Sequence, residues 1–164
     1  MHTLNTRRLF TFAVISFTLA GCAATGPVYQ PAPQPGPDQA LVYIYRPNNF
    51  ALGGRDAYFY VDGINVADLS RDGYTWFHVP AGPHTLMQKW PVDVSTFGKL
   101  EKSVNWQPGQ TYHYQFVTDV GSGGVSGVVV KWTFSEVSAE TARQEMVDKK
   151  LQPAFGAAKL QVAR

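Results

Sequence analysis

Three corners, Asp62-Gly63, Pro80-Ala81-Gly82-Pro83 and Gln107-Pro108-Gly109-Gln110, break the middle of the chain into short segments rich in β-branched and aromatic residues. Glycine and proline stop regular structure, and the segments between them are strand-length. "ALVYIYRP" from Ala40 reads as the first strand, and "DAYFYVDGINVADL" as two strands joined by a type I′ turn at Asp62-Gly63. "GYTWFHVPAGPHTLMQKW" and "KLEKSVNWQPGQTYHYQFVTD" each read as two strands about a proline-glycine corner, and "GVVVKWTFSEV" as one more. The expected fold is all-β: an antiparallel β-sandwich, Ig-like or prealbumin-like, of about seven strands, with a helix at its C-terminal end.

Period two sorts the faces. Tyr112, Tyr114 and Phe116 share one side of their strand, and Val128, Val130, Trp132 and Phe134 one side of the next. These aromatic rows are expected to face the core. The period then changes. Ser138 can cap a helix from Ala139 to about Leu151, with Ala139, Ala142, Met146, Val147 and Leu151 as its apolar stripe and Gln152-Pro153 as its stop. Residues 152–164 read as a flexible tail.

The N-terminal end has a different texture. Arg7 and Arg8 precede twelve uncharged residues, Leu9 to Ala20, a length suited to a signal-peptide core and too short to span a bilayer. Leu19-Ala20-Gly21-Cys22 follows and resembles the bacterial lipobox. That resemblance implies cleavage between Gly21 and Cys22 and a lipid on the Cys22 sulfur. Cys22 is the only cysteine, so no internal disulfide is possible. Residues 22–39 carry Pro27, Pro31, Pro33, Pro35 and Pro37, a pattern that favours extended polyproline II. At roughly 3.1 Å per residue, such a linker could hold the domain about 50 Å from the lipid.

Loss of Arg7 and Arg8 with the signal lowers Lys+Arg from 14 to 12, equal to the 12 Asp+Glu, so the finished chain is formally neutral. Nucleic-acid binding needs a basic excess and is excluded as an expectation.

Taken together, "VYIYRP", "FYVDG" with "VADL", "GYTWFHVPAGPHTL", "GQTYHYQF" and "SAETARQEM" resemble a family of bacterial envelope lipoproteins known only as a domain of unknown function. The likeness covers roughly residues 40 to 150. Its proline-proline-glycine-histidine corner is here Pro80-Ala81-Gly82-Pro83-His84, with Ala81 replacing a proline. "PAGPHTL" is also similar to PEGA-type β-sandwich repeats. These motifs are turns, so the resemblance implies a fold and brings no reaction, cofactor or ligand.

Each candidate site has a structural reading beside it. His78 and His84 flank a corner and could lie opposite each other on paired strands. With His113 they could bind zinc, although the spacing matches no established motif. Asp62, Asp68 and Asp72 could hold calcium, but Asp-Gly at 62 and 72 is what turns demand. "GSGGVSG" at 121–127 lacks the Lys-Ser/Thr ending of a phosphate loop and reads as a hairpin loop, and Ser122 and Ser126 lack a nucleophile's context. Phe, Trp and Tyr make up 13 % of the chain, enough to leave some on the surface. Tyr58 and Tyr60 alternate with Phe59 and Val61 and could form an exposed binding row, with Trp76, Trp90 and Trp106 as further candidates. Arg46, closing the first strand, could anchor a corner through backbone carbonyls or touch a ligand.

The resulting expectation is a non-enzymatic lipoprotein, anchored through Cys22, on the periplasmic side of the outer membrane. Ala23 after the cysteine, rather than an aspartate, is the basis for that destination. An envelope protein or peptidoglycan is the expected partner and no cofactor is implied. The alternatives are a carbohydrate-binding module and a small His-dependent metal enzyme.

Overall fold

The computed structural model describes residues 23–49, 51–91, 98–123 and 127–162. The signal segment, the Gly21–Cys22 cleavage position and Ser126 lie outside the described residues. Eight strands form the body: β1 (Gln39–Tyr45), β2 (Ala57–Val61), β3 (Ile64–Leu69), β4 (Gly73–Pro80), β5 (Gly82–Lys89), β6 (Lys99–Trp106), β7 (Thr111–Gly123) and β8 (Gly127–Val137). Helix α1 (Ala139–Met146), a two-residue strand β9 (Lys150–Leu151) and helix α2 (Ala157–Leu160) follow. The strands make two facing sheets, ordered β8-β7-β1-β4-β9 and β3-β2-β5-β6. Antiparallel pairs dominate, while β1–β7 and β4–β9 are parallel. This is the expected β-sandwich with a C-terminal helix.

Alternation builds the core. Phe59 and Val61 are fully buried, as are Leu86, Phe116 and Ala40, Val42 and Ile44 of β1. Phe77, Val79, Tyr114 and Phe134 join them between the sheets, and Tyr112 and Trp132 pack against the cluster. The β7 row and the Trp132–Phe134 half of the β8 row therefore face inward, whereas Val130, expected in the same row, stands outside the core cluster and the Val128 side chain lies outside the described residues. The other face of β1 is buried too: Leu41, Tyr43 and Tyr45 form a second cluster with Ala142 and Met146 of α1. A strand covered on both faces reads as a continuous apolar run, as "ALVYIY" does.

The turns behave as their residues dictate, with one correction. Asp62 and Gly63 take φ of 49° and 79°, so that pair is a left-handed corner, and at the second Asp-Gly pair Asp72 alone is left-handed, at 57°. The Pro80–Pro83 and Gln107–Gln110 corners are not hairpins, however. Pro80 still pairs with Gln39 of β1, whereas Gly82 already pairs with Trp106 of β6, so the chain changes sheet within one residue. Gly82 makes the change at φ 126°. Local period is the same on either side of a hairpin or a sheet-to-sheet corner, so sequence could not separate the two.

Both ends of the body also depart from expectation. Ser138 does cap α1, accepting from the Thr141 N–H, but the helix stops at Met146. Lys149 Nζ reaches Asp72 at 3.2 Å and the Lys150 N–H donates to the Asp72 carbonyl (2.8 Å), drawing the chain out of the helix into β9. Val147, expected in the stripe, is 68 % exposed, and Leu151 sits on the sheet edge. The tail is docked: Leu160 joins the main core and the Phe155 N–H donates to the Val66 carbonyl (3.1 Å).

The proline-rich segment is likewise a strap across the outer face of the five-stranded sheet. Ala23 bridges Arg71 and Val28 bridges Lys150. The Leu151 N–H donates to the Pro27 carbonyl (2.8 Å) and the Ala32 N–H to Tyr43 Oη (2.7 Å). The Tyr29 ring packs 5.4 Å from Tyr74 and 6.1 Å from Tyr43.

Candidate functional site

The edge of β4 carries the site. The Arg46 N–H donates to the Gly73 carbonyl, which sets the parity of the β1–β4 ladder. Gly73, Thr75, Phe77 and Val79 then bond toward β1, and Tyr74, Trp76 and His78 present their backbone groups to the opposite edge. There the Tyr74 carbonyl accepts from the Gln152 N–H (2.8 Å) and the His78 carbonyl from Gln161 Nε2 (2.9 Å). Trp76, between them, faces a cavity of about 470 Å³.

This cavity lies between β9 and α2. Trp76, Phe77 and His78 form the β4 side, and Leu151, Pro153 and Ala154 another wall. Ala157 and Ala158 of α2 close it, with Gln39 and Gln161 at the rim. The two rim amides are bonded to each other, Gln39 Nε2 donating to Gln161 Oε1 at 3.0 Å. His78 is the only ionisable side chain in the lining, and its Nε2 donates to the Pro33 carbonyl of the strap (3.0 Å). The cavity is a largely apolar recess with an aromatic ring and a few polar groups.

Of the aromatic candidates, Trp76 is at this cavity. Tyr58 and Tyr60 lie half-buried on the far side of the molecule, on the outer face of the four-stranded sheet, with Lys89 Nζ 5.0 Å from the Tyr60 ring. Trp90 and Trp106 are 4 % and 1 % exposed and belong to the core, against the expectation of surface rings. Arg46 is 1 % exposed. It donates to the carbonyls of Arg55, Leu69 and Leu52, and its guanidinium lies 5.7 Å from the Trp90 ring. Burial pulls its pKa down to about 10. Arg46 is thus the corner anchor rather than a cavity residue.

The histidines occupy three separate places. Because β4 and β5 are in different sheets, His78 and His84 do not face each other as paired-strand neighbours. His84 Nδ1 meets Asp62 Oδ2 at 2.6 Å and its Nε2 the Pro80 carbonyl at 2.8 Å, which ties two corners together. His113 stacks on Tyr43, centroids 5.0 Å apart and planes 2° from parallel, and burial with Arg143 nearby pushes its pKa below the usual histidine value. Among the described residues no three His, Cys, Asp or Glu side chains are placed to share a metal ion. Asp62 and Asp72 serve turns, and Asp68 accepts from Asn65 Nδ2 (3.0 Å), with burial raising its pKa.

Sequence reasoning missed Gln39, Leu151, Ala158 and Gln161. They come from three regions of the chain, the start of β1, β9 and the α2 end, and carry no local signal. Only the docking of the C-terminal segment on β4 assembles them. Among the described residues no helix is long and apolar enough to cross a membrane.

The model of a family described as "Protein of unknown function (DUF2846)" matches residues 37–127, from the residues just before β1 to the start of β8. No curated protein matches the chain.

Proposed function

The chain belongs to the DUF2846 family of proteins of unknown function, and on that premise we propose that it is a lipid-anchored, non-enzymatic binding protein of the bacterial envelope. Cys22 carries the lipid, the chain sits on the periplasmic face of the outer membrane, and the cavity at the β4 edge receives the partner. One observation carries the binding half of this reading: the cavity is lined by apolar groups and Trp76, and its single ionisable side chain already has its Nε2 engaged by the Pro33 carbonyl. A recess with this lining can hold a ligand and has little with which to move a proton. The membrane half is supported by the lipobox at residues 19–22 and by the bond from the Ala24 N–H to the Arg71 carbonyl (3.1 Å), which starts the folded domain immediately after it.

The test has two arms in cells. Cys22→Ser should shift the protein from the detergent phase to the aqueous phase. A photocrosslinking side chain at Ala158, in the cavity wall, should give a discrete adduct that the same group at Lys99, on β6 of the other sheet, does not. Equal adducts at the two positions would sink the cavity as the binding site, and unchanged partitioning would sink the anchor.

A second reading is favoured by the lining itself. An indole beside two amides, Gln39 and Gln161, is the chemistry that stacks on and bonds to a sugar ring. Retention on purified peptidoglycan that disappears in Trp76→Ala would select it over a protein partner.

A further inference from the structure

We propose that the β7–β8 ribbon is a second membrane contact, resting in the head-group region of the same bilayer that holds Cys22. The proposal rests on the lipid-anchor reading above and follows from where two features lie on the sandwich.

The first feature is the start of the fold. Ala23 bridges Arg71, which stands two residues before β4. Tyr74 lies opposite Tyr45, so Ala23 is at the C-terminal end of β1. A single peptide link separates Ala23 from Cys22, so a lipid on Cys22 brings this end of the sandwich to the membrane surface.

The second feature leaves the sandwich at that end. β7 runs parallel to β1, with Gln115 beside Tyr45 as the last paired position, and continues to Gly123. Asn49 Nδ2 and the Ala51 carbonyl bond to Thr118 (both 2.6 Å), and beyond it, among the described residues, β7 has only β8 as a strand partner. Five residue pairs, from Asp119–Lys131 to Gly123–Gly127, form this free ribbon, about 15 Å long.

Two of its valines stand in solvent. Val120 and Val129 are 47 % and 40 % exposed. Val120 is opposite Val130 and Val129 opposite Gly121, so the valines lie on both faces of the ribbon. Charges occur only at its base, in the Asp119–Lys131 pair. An isolated two-stranded ribbon is marginal in water, and this one shows an exposed valine on each face, beside Ser122 on one and the stem of Lys131 on the other. The charged base suits the head groups and the valines the acyl boundary. Among the described residues neither outer edge has a further strand partner, although the Val120 N–H donates to Asp119 Oδ1 (2.8 Å), and edges without a ladder keep the ribbon at the interface and prevent deep insertion.

The experiment uses the full, lipidated chain in vesicles of phosphatidylethanolamine and phosphatidylglycerol. Because the Cys22 sulfur is occupied, Val129→Cys and Gln107→Cys each offer one thiol for a nitrobenzoxadiazole probe. Gln107 is at the opposite end of the sandwich. The proposal expects a blue-shifted probe at 129, quenched several-fold more by lipid-borne quenchers than the probe at 107. A probe at 129 as wet as that at 107, on chains that float with the vesicles, overturns the ribbon contact and leaves the anchor standing. A shielded but unquenched probe, with crosslinks between copies through position 129, overturns it in favour of chain-to-chain pairing. Intact masses lacking the acyl groups, with no flotation, overturn both readings.

Discussion

Arg46→Ala removes the donor from three backbone carbonyls at once, those of Leu52, Arg55 and Leu69. These belong to the loop between β1 and β2 and to the end of β3, so one side chain pins the turn region to the body. Hydrogen bonds from a charged group contribute about 1.5–3 kcal/mol each. Against them stands the desolvation of a guanidinium that is 1 % exposed and whose pKa burial lowers to about 10, a penalty on the charged form of roughly 3 kcal/mol. Lost packing against Trp90 and Phe116 adds to the damage. The balance is a loss of about 3–5 kcal/mol, the range found when one partner of a buried charged network is removed. In a chain this long that lowers the melting temperature by about 10 °C or more. Urea unfolding followed by tryptophan fluorescence reads the loss directly. Arg46→Lys keeps the charge but replaces a planar fork with a point donor, so it should recover only part of it. A cost below about 1 kcal/mol for the alanine variant, or full recovery by lysine, would refute the anchor role.

Two further outcomes follow. In Gly156→Ala the new Cβ would stand 1.8 Å from the Asn65 carbonyl oxygen, a backbone atom that cannot swing aside; the variant should lose about 1–3 kcal/mol in the same urea assay, and an unchanged midpoint would mean that the C-terminal segment is not docked. Burial and Arg143 hold the His113 pKa below 6.5, so the unfolded chain takes up the proton first: stability is complete above about pH 6.5 and falls as pH drops below it, by at most roughly 1.4 kcal/mol per pH unit. His113→Phe keeps a ring on Tyr43 and should flatten that acid limb, and an identical slope in both proteins would count against it.

Much of the fold was legible because period and turn chemistry are local. Phe59 and Val61 against Tyr58 and Tyr60, the inward row of β7 and the inward Trp132 and Phe134 of β8, the Asp62-Gly63 turn and the Ser138 cap each follow from a few neighbouring residues. The topology was not, since the Pro80–Pro83 corner looks the same in sequence whether β5 folds back on β4 or crosses to the other sheet. The helix end failed for a related reason. Nothing between Val147 and Leu151 forbids another turn of helix, and it is Asp72, far back in the chain, that captures Lys149 and Lys150. The candidate site was visible only on β4, at Trp76 and His78, because its other walls are contributed by β9, α2 and the start of β1.

The strap shows how composition can be right about conformation and wrong about reach. Prolines at 31, 33, 35 and 37 favour an extended path, and the segment forms no helix, with Pro37 in a turn closed by the Gln39 N–H on the Gly36 carbonyl (3.1 Å). An extended chain leaves its backbone donors unused, and the outer face of the five-stranded sheet offers acceptors: Tyr74 Oη for the Gln30 N–H and Tyr43 Oη for that of Ala32. Without the strap and α1, Leu41, Tyr43 and Tyr45 would stand in water, yet they are 1 %, 3 % and 0 % exposed. At Gly26 the approach is so close that a Cβ would fall 1.9 Å from the Leu151 carbonyl oxygen. Stiff, proline-set segments lose little entropy on docking to an aromatic face, so covering those rings outweighs the freedom of a tether. On the proposed anchor, the span between lipid and fold then shrinks from about 50 Å to one peptide link of about 3.8 Å. On that same proposal a partner would have to meet this protein at the membrane surface, because the segment expected to act as a long tether is part of the wall.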